Sequence, residues 1–305
     1  MASIWLGSGL VEEEFVKTLL LPALEGKSSS LKRVIIYPGI QREPGAELLG
    51  FGTELGEKVA LIHLSDEKLR HRRGIYKTFD VVLRHYFDPR LSLKKNVYHI
   101  PLGWTSAFNS QIRSDASPAY LWSFCGAVKA DREEMLVELE GIGESFTHFS
   151  SGWSSDDQMP PEEVRKIYAD SNFVLCPQGN AHIDSFRVME ALQAGSVPVS
   201  VKFLGRDFFR YTFGDHPFVV ADDWKHAARI VKHFENHPDE ALVLRARTRL
   251  WFQDYLTRLS QDLALIAQGA SSRQLRGEMF RMQRRAVFDL PLLVRISQRF
   301  ARFRK

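Results

Sequence analysis

Cysteine is nearly absent from this chain. Two residues, Cys125 and Cys176, among 305 exclude a disulfide framework. Each sits in an apolar, strand-like run, where a small buried thiol is the expected role. There is no Cys-x-x-Cys pair. His182 near Cys176 offers two candidate ligands where a metal site needs more, so no metal is expected. No run approaches the roughly 20 apolar residues that span a bilayer. The opening Met-Ala-Ser-Ile-Trp-Leu-Gly-Ser-Gly has no basic stretch ahead of an apolar one and does not read as a secretory signal. A cytoplasmic protein is the expectation. Internal repeats are also missing. Hydrophobic content of 44% and charged content of 26% are globular values, so the chain has material for one large domain or two of ordinary size.

Charge is unevenly spread. The net charge is +4, yet the segment from Arg273 to Lys305 alone holds ten Lys or Arg against two acids, so basicity belongs to the tail. Within it, Leu290 to Lys305 interleaves apolar and basic residues. As a helix it would place Leu292, Ile296 and Phe300 together. That pattern suits a peripheral contact with an anionic membrane through residues 273–305. It equally suits a helix packed on its own protein, or a frayed tail. Nucleic acid is not expected as a partner, since no recognition module accompanies the basic residues.

Short apolar runs alternate with amphipathic stretches, which is the pattern of an α/β chain with parallel sheets. Strands are expected at Ser3–Leu6, Arg33–Tyr37, Val59–Leu64, Phe79–Leu83 and Val97–Ile100. A second series is expected at Leu121–Cys125, Phe146–Phe149, Asn172–Cys176, Val197–Val201 and Phe218–Val220. Helices are expected at Leu10–Leu24, Glu67–Arg73, Asp131–Glu140, Pro161–Ala169, Ser185–Ala194, Asp223–Phe234 and Pro238–Gln268, with a loose linker at Ser106–Pro118. The division that follows is 1–110, 119–237 and a C-terminal helical part, 238–305.

The stretch from Ser171 to Val199 is the densest in information. It reads strand, glycine loop, helix, strand. Asp184 and Ser185 are good helix caps, and Gly195 is placed to stop the helix. Arg187 falls in the helix's first turn, where unpaired N–H groups already make a positive end. A cation there invites an anion, and a phosphate would serve. Glu190 shares its face, as do Ala191 and Ala194, while Phe186, Val188, Met189 and Leu192 point the other way. One reading makes Arg187 a diphosphate binder and Glu190 an acceptor for ribose hydroxyls. The other makes them a solvated surface pair.

The order Pro177-Gln-Gly179, Ser185-Phe-Arg187, Glu190-Ala191, Gly195-Ser-Val-Pro198-Val199 resembles the nucleotide-sugar-binding segment of exostosin-like glycosyltransferases, which include the ribitol xylosyltransferase type. Leu83-Arg-His-Tyr86, His99-Ile-Pro-Leu-Gly-Trp104 and Phe124-Cys-Gly-Ala127 followed by Arg132 are similar to further parts of that family's pattern. The resemblance implies a GT-B fold, two doubly wound Rossmann-like halves facing a cleft, with C-terminal helices. It implies an inverting transfer from a UDP-sugar to a glycan or lipid-linked glycan acceptor. A non-catalytic nucleotide-sugar or glycan-binding protein on the same fold, or a membrane adaptor acting through its tail, are the alternatives.

Such a transfer needs a base for the acceptor hydroxyl and charge stabilisation for the leaving diphosphate. The chain has no Asp-x-Asp element to hold a cation, so arginine and helix-terminal amides are expected to act without metal or other cofactor. Arg187 with Gly179, Asn180, His182, Ser185 and Glu190 forms the expected donor site, and Arg84 at a first-half strand end is a further candidate for it. Asn180 and His182 could instead only stabilise the glycine loop. Asp66 or Glu67, after the strand at Val59–Leu64, is the preferred candidate for the base, with His63 or His85 behind, although Asp66 is also placed to cap a helix.

Overall fold

The computed structural model describes residues 2–7, 10–39, 48, 51, 56–69, 74–109, 117–152, 155–271, 273–275 and 278–286. The amphipathic reading of Leu290–Lys305, most of the linker at Ser106–Pro118, and the end of the helix expected at Glu67–Arg73 lie outside them. Asp66 to Leu69, the described start of that stretch, form a turn.

All ten expected strands form, in two parallel five-stranded sheets. The first holds β1 (Ala2–Trp5), β2 (Arg33–Pro38), β3 (Val59–Leu64), β4 (Val81–Arg84) and β5 (Val97–His99). The second holds β6 (Tyr120–Cys125), β7 (Ser145–His148), β8 (Ser171–Leu175), β9 (Val197–Val201) and β10 (Val219–Ala221). Parallel strands covered on both faces read as unbroken apolar runs. Every residue of β3 is buried, and its bounds match the sequence reading. The chain divides into two compact units: Met1–Leu102 with Phe209–Asp215 and residue 256 onward, and Gly103–Phe208 with His216–Tyr255. Each unit carries one sheet.

The helices are α1 (Glu13–Phe15), α2 (Leu21–Leu24), α3 (Arg132–Leu139), α4 (Pro161–Ala169), α5 (Phe186–Ala194), α6 (Arg210–Phe213), α7 (Trp224–Asn236), α8 (Pro238–Ala267) and α9 (Glu278–Arg285). A π-helical turn, Val16–Leu20, joins α1 to α2. Pro22 has no N–H for the carbonyl of Thr18, and the backbone opens into the wider turn just before it. In α9, buried Gln283 donates to the carbonyls of His99 (2.8 Å) and Tyr211 (2.9 Å) and accepts from His99 N–H (3.1 Å). This part of the basic C-terminal segment therefore packs on its own unit, with Met279 and Phe280 buried.

Topology differs between the sheets. The first runs in sequence order, β1-β2-β3-β4-β5; the second runs β10-β9-β8-β6-β7. After β7 on one side of β6, the chain returns to place β8 on the other side. The carboxyl ends of β6 and β8, whose register pairs Trp122 with Phe173 and Ser123 with Val174, thus flank a topological switch point. Open α/β sheets bind their ligands at such a point.

Candidate functional site

Arg187 spans that switch point. It enters from the first turn of α5, the helix after β8, and its Nε donates to the carbonyl of Cys125 at the end of β6 (2.9 Å). The guanidinium lies over the Phe124 ring at 5.1 Å. Gly126 has φ +143°, and a Cβ built there would stand 2.1 Å from Arg187 Nη2. Glycine suits 126 for its backbone angle, and a side chain there would also push aside the end of the Arg187 guanidinium. Among the described residues the terminal nitrogens of Arg187 have no hydrogen-bond partner and no carboxylate within ion-pair distance. The surface-pair reading with Glu190 is not what forms.

The start of α5 departs from the expected cap. Ser185 is extended (φ −144°, ψ 156°), but its side chain does not cap the helix. Its Oγ is buried, on a residue 8% exposed, and lacks a hydrogen-bond partner among the described residues. Two adjacent groups, a cation and a hydroxyl donor, therefore stand beside the positive end of a nine-residue helix. Ala191 and Ala194, expected on an open face, are buried, as are Val188, Met189 and Leu192. The part of α5 that reaches the surface is Phe186, Arg187 and Glu190.

Glu190 makes no hydrogen bond within the described residues. Burial pushes its carboxyl up to about 7, with the Arg187 charge pulling the other way. The folded state therefore holds this proton to higher pH than the unfolded chain does. Stability then falls as pH rises from about 4.5 to about 7 and is flat above. At about 1.4 kcal/mol per pH unit, and discounted for partial solvation, the cost above pH 7 is about 2 kcal/mol. Glu190→Gln should accordingly match the wild type in urea unfolding at pH 4 and exceed its stability by about that amount at pH 8. Equal stability at both pH values would mean the carboxyl is well solvated.

The glycine loop is held by its own contacts and by the β6–α3 loop. Gly179 N–H donates to the carbonyl of His182 (2.9 Å), and Asp184 N–H donates to His182 Nδ1 (3.1 Å), which makes His182 the neutral Nε2–H tautomer. Asn180 pairs with Lys129. Arg132, 3% exposed at the start of α3, donates to the carbonyl of Gln178 (3.1 Å) and to that of Ala127, so it ties the two loops together. Gly126 and Arg132 fall in the stretch whose resemblance the sequence shows, whereas the contact of Lys129 with Asn180 is not legible there. The signal for Arg132 is the same as for Arg187: a cation in the first turn of a helix, where the dipole disfavours it.

In the first unit, Arg84 and Asp66 meet each other. Arg84 Nη2 donates to Asp66 Oδ2 (3.0 Å), Nη1 to Tyr76 Oη (3.2 Å) and Nε to the His85 carbonyl (2.9 Å). Arg84 is 1% and Asp66 4% exposed, so this is a buried ion pair. Glu67 lies beside it in the turn, half-buried. One His-x-x-x-His spacing does occur, at His233 and His237, whose rings stack at 4.2 Å, with His233 paired to Glu240 (3.0 Å). Among the described residues no three His, Cys, Asp or Glu converge to hold a metal ion, and no helix is long and apolar enough to cross a membrane.

No family model matches this chain, and no curated protein matches its sequence. Among solved structures it is similar to an alpha1,3-fucosyltransferase, with 11% identity over 86% of this chain and 92% of that one, and a TM-score of 0.49. It is also similar to the DNA-modifying enzyme beta-glucosyltransferase, studied with and without uridine diphosphoglucose (12% identity, 88% of this chain, 97% of that one, TM-score 0.43). A third is a point mutant of S. aureus TarM in complex with fondaparinux, alpha-GlcNAc-glycerol and UDP (10% identity, 86% of this chain, 56% of that one, TM-score 0.42).

Proposed function

We propose that this chain is a glycosyltransferase of the exostosin-like type, taking a sugar from a UDP-sugar to a hydroxyl of a glycan acceptor, with inversion and without a metal. The observation that carries the reading is Arg187: a guanidinium held across the switch point of the second sheet, with its terminal nitrogens unspent, beside an unpartnered Ser185 hydroxyl and a helix N-terminus. That combination stabilises a diphosphate, and does so most when negative charge builds up on it as the glycosidic bond breaks. Glu190, three residues along the same face, accepts hydrogen bonds from the ribose once ionised. Gly179, Asn180 and His182 shape the loop beside the diphosphate, through the hydrogen bonds described above.

Binding of UDP measured by calorimetry tests the reading. The expected result is micromolar affinity, unchanged by a chelator. Absence of UDP binding would remove the nucleotide site. Affinity abolished by the chelator would replace arginine by a metal as the diphosphate partner.

A further inference from the structure

Phe149 is the one exposed aromatic side chain among the described residues, at 48%. A single exposed ring is ordinary on a protein surface; its place is what sets this one apart. The strand expected to run to Phe149 stops at His148, the end of β7. The residues on either side of Phe149 then bond the same glycine. Gly126 N–H donates to the carbonyl of His148 (3.0 Å), and Ser150 N–H donates to that of Gly126 (3.4 Å). Gly126 is the residue against which the Arg187 guanidinium lies. The Phe149 ring is 6.4 Å from that of Phe124, and the same Phe124 ring carries the guanidinium at 5.1 Å. The loop beyond is pinned. His148 Nε2 donates to the carbonyl of Asp157 (2.9 Å), and the Asp157 carboxylate accepts from Ser151 N–H (2.8 Å) and Oγ (3.1 Å). An open aromatic face is thus held one ring away from the arginine, at the carboxyl edge of the second sheet and within the second unit.

We propose that Phe149 is the platform on which the nucleobase of the donor stacks. This rests on the glycosyltransferase reading above and concerns the part of the donor that Arg187 does not hold. A nucleoside diphosphate has an anionic end and a flat aromatic end, joined by a ribose. The site offers the matching pair in the same order: a guanidinium and, past the Phe124 ring, an open aromatic face. Every nucleobase has such a face, so the contact demands a base without choosing among bases. The hydrogen bonds of residues 148–157 fix the platform before the ligand arrives, and little order is lost on binding. The ring also does little for the fold: about half of it already stands in water, so its removal takes away little buried area.

The test measures binding of UDP and of inorganic pyrophosphate, by calorimetry, to wild type, Phe149→Ala, Phe149→Leu and Phe149→Trp. The stack predicts that Phe149→Ala weakens UDP binding about tenfold or more, while pyrophosphate binding stays within about threefold of wild type. Phe149→Leu is apolar but not planar and should resemble the alanine variant. Phe149→Trp keeps a flat face and should bind UDP within about threefold of wild type. UDP carries no sugar, so a ring reserved for the transferred sugar or for the acceptor would leave its affinity unchanged. UDP affinity in Phe149→Ala within about threefold of wild type therefore overturns the platform. Equal losses of UDP and pyrophosphate overturn it too, because the substitution then acts through Gly126 and Arg187. If urea unfolding shows that Phe149→Ala has lost its fold, Phe149→Leu decides by the same criteria. Wild type that binds pyrophosphate as tightly as UDP defeats the platform alone. Wild type that binds neither defeats the nucleotide-sugar reading, and the platform with it.

Discussion

Asp66→Ala should destabilise the protein by about 3–5 kcal/mol, because it strands a buried guanidinium. Arg84 has three of its donors engaged inside the first unit, and Asp66 supplies the charge that balances it at 3.0 Å. With the carboxylate gone, the cation keeps as hydrogen-bond partners only a phenol and a carbonyl, neither charged, and the Asp88 carboxylate acts on it only through space. Burial pushes the Tyr76 hydroxyl up to about 12, so it cannot ionise to compensate. Asp66→Asn should cost less but in the same direction, since the amide oxygen keeps an acceptor without the charge. Urea unfolding measures both. A loss below about 1 kcal/mol for the alanine variant, with catalysis abolished, would show that Asp66 is held in place for chemistry and return it to the role of base. The expected pattern, a large stability loss, would make Asp66 a structural partner of Arg84.

This pair shows where sequence reading stops. Both residues stand out in the sequence because they end neighbouring strands, and the register that pairs His63 with Arg84 brings those ends together. Composition and periodicity locate a strand end; they do not say that two strand ends will neutralise each other. The strands themselves are legible because burial on both faces writes β3 and β9 as mostly apolar runs, interrupted only by His63 and Ser200, and their bounds agree to the residue. Elsewhere bounds shift by one or two residues, as for β4 and β8, because pairing with the neighbouring strand sets the last hydrogen bond. Strand order is not legible. Nothing in the alternation of runs distinguishes the sequential first sheet from the reversal at β6 and β8, yet that reversal is what sets Arg187 against the end of β6. Glu12 is hidden in the sequence for a related reason: three consecutive glutamates look like a solvated helix start, and only packing against Ser65 and His85 separates the first from the others.

Arg187→Ala should weaken UDP binding by about 2 kcal/mol or more, roughly 30-fold in Kd, the range of a charge-assisted hydrogen bond to phosphate. The guanidinium is positioned before any ligand arrives. Its Nε is bound to Cys125, its plane lies over Phe124, and Gly126 gives it room to lie against the strand end. A pre-ordered donor loses little entropy on binding, so most of its interaction appears as affinity. Arg187→Lys keeps the charge but loses the fork and the Cys125 contact, and should fall between wild type and alanine. Gly126→Ala provides the sharper comparison. It carries no charge and would touch no diphosphate, but its methyl would occupy the place of Nη2, and φ +143° opposes it as well. If the geometry at the switch point matters and not only the charge, Gly126→Ala should lose UDP affinity to a comparable degree while Arg187 is still present. UDP affinity in Arg187→Ala within about threefold of wild type would mean that this arginine holds β6 and α5 together and that the anion is bound by something else. Loss in Arg187→Ala without loss in Gly126→Ala would keep the arginine as ligand but release it from the strand end, with the guanidinium swinging away from Gly126 to bind.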